Sequence, residues 1–137
     1  MHANSSSIGI SEEVAYSKIP TSYLETKLVR SLPANNADIE STVVSGIVKM
    51  LESAKSPVIV VDGGAGRGTW EQYVPALIDA LKVPVFTTIL GKGIVDESHP
   101  LYGGAYIGYG TPEVTLKLVE QSECIVWLGN LPSDFNT

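Results

Sequence analysis

Cysteine is nearly absent. The 137 residues hold one, Cys124, which excludes an internal disulfide and a cysteine zinc site. It stands in the apolar run Cys124-Ile125-Val126-Trp127-Leu128, the setting of an inert buried thiol rather than an activated nucleophile. Histidine is also scarce: His2 lies in a polar amino-terminal stretch and His99 stands alone before Pro100, too few for a metal cluster. Basic charge is short as well. Nine Lys and Arg against fifteen Asp and Glu give a net charge of −6, and without clustered cations there is no nucleic-acid footprint. Charged residues of both signs reach only 18%, against about 25% in ordinary domains, a shortfall expected of surface that other protein covers. No apolar run approaches the roughly 18 residues of a membrane helix. The stretch Met1–Ser7 lacks the basic start and apolar core of a signal peptide. A cytoplasmic protein with no membrane partner is expected.

What is present argues for a folded domain. The apolar fraction of 44% and mean hydropathy of +0.16 are too high for wholesale disorder, and the length suits one domain burying about two thirds of its surface. Residues 1–16 are serine-rich and aperiodic, a disordered tail; residues 17–35, with Pro20 and Pro33, form an extended linker. Regularity occupies 36–137. Ile39, Val43, Ile47, Met50, Leu51 and Ala54 recur at helical spacing, with Asn36 or Asn35 placed to cap the first turn. The run Val58-Ile59-Val60-Val61 reads as a strand buried on both faces. It delivers Asp62-Gly63-Gly64-Ala65-Gly66-Arg67-Gly68.

Trp70, Tyr73, Val74, Leu77, Ile78 and Leu81 make a second helical stripe, opened by a Thr69–Gln72 capping box and disturbed by Pro75. A second strand spans 83–88, and a long glycine-bearing connection runs from Gly91 to Gly110. Thr111-Pro112-Glu113 opens a third helix with proline at its first position. The third strand, Cys124–Leu128, is closed by Gly129. Strands alternating with helices predict an α/β fold: a Rossmann-like parallel sheet with helices on both faces, of about three strands and incomplete.

The chemistry this chain can hold is limited. A strand handing glycines to a helix start is how a dinucleotide fold sets backbone N–H groups against a pyrophosphate. Here the pattern is G-x-G-x-G, Thr69 takes the place of the third fingerprint glycine, and the second strand ends in Thr87 and Thr88 rather than in an acid for the ribose. Gly91-Lys92-Gly93 is no phosphate loop, since Thr87 stands five positions before the lysine and Gly93 follows it. G-x-S-x-G does not occur, and the carboxylate pairs Glu12-Glu13 and Asp96-Glu97 fall in loops.

Three stretches carry a resemblance. They are Thr87-Thr88-Ile89-Leu90-Gly91-Lys92-Gly93-Ile94-Val95-Asp96-Glu97-Ser98-His99-Pro100, its continuation Leu101-Tyr102-Gly103-Gly104-Ala105-Tyr106-Ile107-Gly108, and the terminal Gly129-Asn130-Leu131-Pro132-Ser133-Asp134-Phe135-Asn136-Thr137. From about Ser17 to Thr137 the chain resembles the central domain of thiamine-diphosphate-dependent 2-oxo acid decarboxylases, in the pyruvate and indolepyruvate decarboxylase branch. The D-E-x-H-P-x-Y-G-G form and the S-D-F-N-T ending are the narrow parts of the match.

The resemblance implies a parent enzyme, a homodimer or homotetramer, that uses thiamine diphosphate and Mg²⁺ to decarboxylate pyruvate or a related 2-oxo acid non-oxidatively to an aldehyde. It implies a three-domain plan in which pyrimidine-binding and diphosphate-binding domains hold the cofactor and the central domain carries no catalytic residue. The family's magnesium motif is G-D-G followed by an asparagine. Here Val61 precedes Asp62-Gly63, and no asparagine lies between Asn36 and Asn130. The chain is accordingly expected to bind neither cofactor nor metal alone, and to represent a truncated central domain with a structural or regulatory role. Fungal members that are activated by substrate carry a cysteine where Gly64 and Ala65 stand here. Gly64, Gly66, Arg67, Gly129 and Asn130 are the candidate effector or nucleotide loop, and a free-standing nucleotide-binding module using Gly63–Gly68 is the alternative function.

Overall fold

The computed structural model describes residues 8–27, 33–67, 70–133 and 136. The chain divides into two units at Glu40 and Ser41. In the first, α1 (Glu12–Ala15) is a single helical turn and Thr21–Glu25 is a 3₁₀ turn, both exposed throughout. Residues 1–7 of the expected tail and 28–32 of the expected linker lie outside the described residues. The helix α2 (Ala37–Ser53) starts in this unit. Asn36 caps it as expected, its Oδ1 accepting from the N–H groups of Asp38 and Ile39 at 3.0 and 3.1 Å.

The second unit is a four-stranded parallel sheet, in the spatial order Tyr102–Ala105 (β3), Val85–Thr87 (β2), Pro57–Val61 (β1) and Cys124–Leu128 (β4). β1 (Pro57–Val61) is central, with β2 (Val85–Thr87) on one side and β4 (Cys124–Leu128) on the other. Successive β1 side chains point to opposite faces. Ile59 and Val61 join Val74, Ile78, Val85 and Val95 in one core, while Val58 and Val60 join Phe86 and Val119 in the other. α3 (Val74–Leu81) and α4 (Glu113–Glu120) thus supply the expected covering on both faces. Pro75 sits in the first turn of α3, after a 3₁₀ turn at Glu71–Tyr73, so its missing N–H costs no hydrogen bond. Pro112 immediately precedes α4 rather than opening it. Thr69, the start of the expected capping box, lies outside the described residues.

The expected count of three strands is corrected to four. The missed strand is β3 (Tyr102–Ala105), which pairs with β2. Its Gly103 and Gly104 disguise it as loop, and both glycines are required. A Cβ on Gly103 would collide with the Phe86 ring, and Gly104 adopts φ +109° where the register slips against Val85 and Thr87. This is a bulge in an edge strand. The connection from β2 to β3 is held by polar contacts: Lys92 pairs with Glu97 at 2.8 Å, and His99 lies 3.2 Å from Asp79 while its Nδ1 accepts from the Leu101 N–H. His99 is therefore a turn-holding residue. No helix among the described residues is long and apolar enough to cross a membrane.

Candidate functional site

The strand order reverses direction at β1: the chain first builds outward through β2 and β3, then returns to add β4 on the opposite side. In open α/β sheets, ligands bind at the carboxyl ends of the two strands flanking such a reversal. Here those ends are Asp62–Arg67 after β1 and Gly129–Leu131 after β4.

The glycines after β1 form a 3₁₀ turn, Gly63–Gly66, instead of leading directly into a long helix. Its donors are already used. The Gly63 N–H donates to Asp62 Oδ1 at 2.6 Å. The N–H groups of Gly64, Ala65 and Arg67 donate to the carbonyls of Gly129, Asp62 and Gly64 at 2.9, 2.9 and 3.2 Å. Four of the five N–H groups from Gly63 to Arg67 are therefore committed to protein acceptors, and a pyrophosphate cradle needs several of them free.

Of the expected loop residues, the structure brings Gly64 and Gly129 into backbone contact and packs Gly66 against Ile94. Arg67 and Asn130 are exposed, and neither lines the adjoining groove. That groove, of about 480 Å³, is walled by apolar and aromatic side chains, chiefly Trp70, Tyr73, Leu77 and Trp127. Gly68 lies outside the described residues. Thr87 and Thr88 are fully buried, turned inward to Tyr102 and Asp62, and cannot meet a ribose.

The centre of this region is Asp62, which sequence reasoning noted only as part of a failed magnesium motif. Its carboxylate is fully buried. Besides Gly63, it accepts from Thr88 Oγ1 at 2.7 Å, Trp127 Nε1 at 3.2 Å, the Leu131 N–H at 2.9 Å and Asn136 Nδ2 at 2.9 Å to both oxygens. Burial pushes the Asp62 carboxyl upward. The hydrogen bonds from Leu131, Asn136, Thr88 and Gly63 outweigh it and hold the group below the usual carboxylate range. One sequence signal could have found it: an acid continuing a strand buried on both faces must be fully partnered.

This geometry also answers whether Asp62 fits a magnesium site. Its oxygens are saturated by donors pointing inward, which is incompatible with a cation in the same place. Among the described residues no group of three His, Cys, Asp or Glu is arranged to hold a metal. The Asp62 carboxylate, bonded in this way, does not fit a metal ligand.

Comparison with known proteins places this architecture. Residues 44–137 match the family profile of the thiamine pyrophosphate enzyme central domain. Curated relatives include the pyruvate decarboxylase of Hanseniaspora uvarum, 42% identical over 131 residues, and isozyme 2 of Saccharomyces cerevisiae, 40% identical over 131 residues. Pyruvate decarboxylase of Candida albicans is 40% identical over the same length. Each alignment covers 95% of this chain and 23% of the relative, so the chain spans about a quarter of the length of these proteins.

Proposed function

The chain belongs to the thiamine pyrophosphate enzyme family, as central-domain sequence, and on that premise we propose that it is an architectural segment of a 2-oxo acid decarboxylase. Its task is to carry and space the pyrimidine-binding and diphosphate-binding domains of a parent enzyme that converts pyruvate or a related 2-oxo acid to an aldehyde. The parent works in the cytoplasm as a homodimer or homotetramer, with thiamine diphosphate and Mg²⁺ bound by those other domains. The carbon–carbon cleavage belongs to the cofactor, and no residue of this chain is assigned a catalytic step.

The observation that carries this reading is the use of the switch point by the protein itself. A nucleotide-binding module keeps its loop amides and a cation free for phosphate, whereas here the amides bond Asp62, Gly64 and Gly129 and the groove beside them is apolar. Calorimetric titration with ADP, FAD and NAD tests it. The expected result is no binding in the low micromolar range; a Kd there, about −8 kcal/mol, would establish the nucleotide-binding module instead.

A further inference from the structure

We propose that the Asp62 carboxylate couples the chain path after β2 to the chain path after β4, so that the Gly91 and Leu131 amides lose and regain their protection together. On one side, the Thr88 hydroxyl bridges the two: it donates to Asp62 Oδ1 at 2.7 Å and accepts from the Gly91 N–H at 3.1 Å. On the other, Asp62 Oδ2 accepts from the Leu131 N–H at 2.9 Å. Asn136 closes the ring. Its Nδ2 donates to both Asp62 oxygens and to the Leu131 carbonyl, while its Oδ1 accepts from the Leu90 N–H at 3.3 Å.

Packing agrees with the hydrogen bonds. A Cβ built on Gly63 would meet Leu90 Cβ at 2.9 Å and Leu131 Cδ1 at 3.2 Å, so both segments close on one glycine. Leu131 and Gly91 share no hydrogen bond; one path between their segments runs through Asp62 and Thr88, and a second runs from Leu90 through Asn136 to the Leu131 carbonyl. A dry anion makes each remaining donor more valuable, and a partly satisfied one draws in water. The arrangement is therefore either fully bonded or hydrated and open, which is the two-state element that physical coupling requires.

Hydrogen exchange on the 137-residue chain at low micromolar concentration, resolved to single amides, tests this. In the wild type the Gly91 and Leu131 amides should show the same protection within about threefold, as members of one cooperative unit. Protection differing by more than about tenfold would overturn the proposal. In Thr88→Val, which keeps the side-chain shape, the Leu131 amide should exchange roughly tenfold faster, within the usual range of coupling between sites. The Ile59 amide, bonded to the Pro84 carbonyl in the core, should be unchanged. An unaltered Leu131 amide, or equal acceleration of Leu131 and Ile59, would show that Thr88 acts locally or on global stability alone. Should that variant not fold, the wild-type comparison decides.

Discussion

Gly64 and Gly129 meet backbone to backbone across the switch point: the Gly64 N–H donates to the Gly129 carbonyl at 2.9 Å, and a Cβ on either residue would run into the main chain of the other loop. Gly129 also adopts φ +68°, a conformation costing an ordinary L-residue roughly 1–2 kcal/mol. The carboxyl ends of β1 and β4 are sealed by glycine rather than opened by it.

Gly64→Ala and Gly129→Ala should each therefore destabilise the sheet by more than about 2 kcal/mol, the scale of backbone strain plus a clash that no rotamer relieves. Because both break one contact, the double variant should lose less than the sum of the two. Urea unfolding at low micromolar protein measures this. Single variants within about 0.5 kcal/mol of wild type, the range of neutral surface changes, would show the contact to be slack.

Asp62 fixes the direction of a pH dependence. Its folded pKa lies below the usual value, so its contribution is complete above the unfolded value of about 3.9. The contribution is lost as pH falls through the folded pKa, because the unfolded state then binds the extra proton. Asp62→Asn should be less stable than wild type at neutral pH, since a donor now faces the donors of Asn136 and Leu131. The gap between the two should narrow on acidification below about pH 4. Thermal unfolding of both proteins from pH 7 to pH 2 reads this out, and a gap that stays constant would remove Asp62 from the account of acid stability.

Much of the fold is legible in the sequence because periodicity follows burial. Val58–Val61 and Cys124–Leu128 are continuous apolar runs and became β1 and β4. The Asn36 cap and the irregular turn ahead of α3 were equally visible. β3 was not, because its residues were selected for space rather than hydrophobicity: Gly103 leaves room for Phe86 and Gly104 makes the bulge. In the site, the glycines advertised a phosphate loop, yet whether an N–H is free depends on acceptors far along the chain. Gly64 is spent on Gly129, and Asp62 is partnered by Thr88 and Asn136. No local pattern announces such pairings.

The two sheet edges differ, and this predicts association. β3 carries a bulge at Gly104, which interrupts further pairing. Among the described residues β4 pairs only with β1, and Cys124–Leu128 contains neither charge nor proline. Val43, Val44 and Ile47 of α2 are also exposed, at 54%, 52% and 45%. Leaving 500 Å² of apolar surface in water forfeits about 12 kcal/mol, comparable with a domain's whole stability of about 5–15 kcal/mol. Sedimentation of the chain at tens of micromolar should show dimers or larger species. A monomer that melts cooperatively above about 50 °C would show that the sheet needs no further cover.

In the proposed function this chain spaces the domains of a decarboxylase and takes no catalytic step of its own. Aldehyde production by the purified chain, supplied with pyruvate or another 2-oxo acid, thiamine diphosphate and Mg²⁺, tests it most directly. No aldehyde above the no-protein control is expected, because Asp62 is saturated by protein donors and cannot take a metal. Aldehyde formation that requires the chain and disappears when thiamine diphosphate is withheld would contradict it.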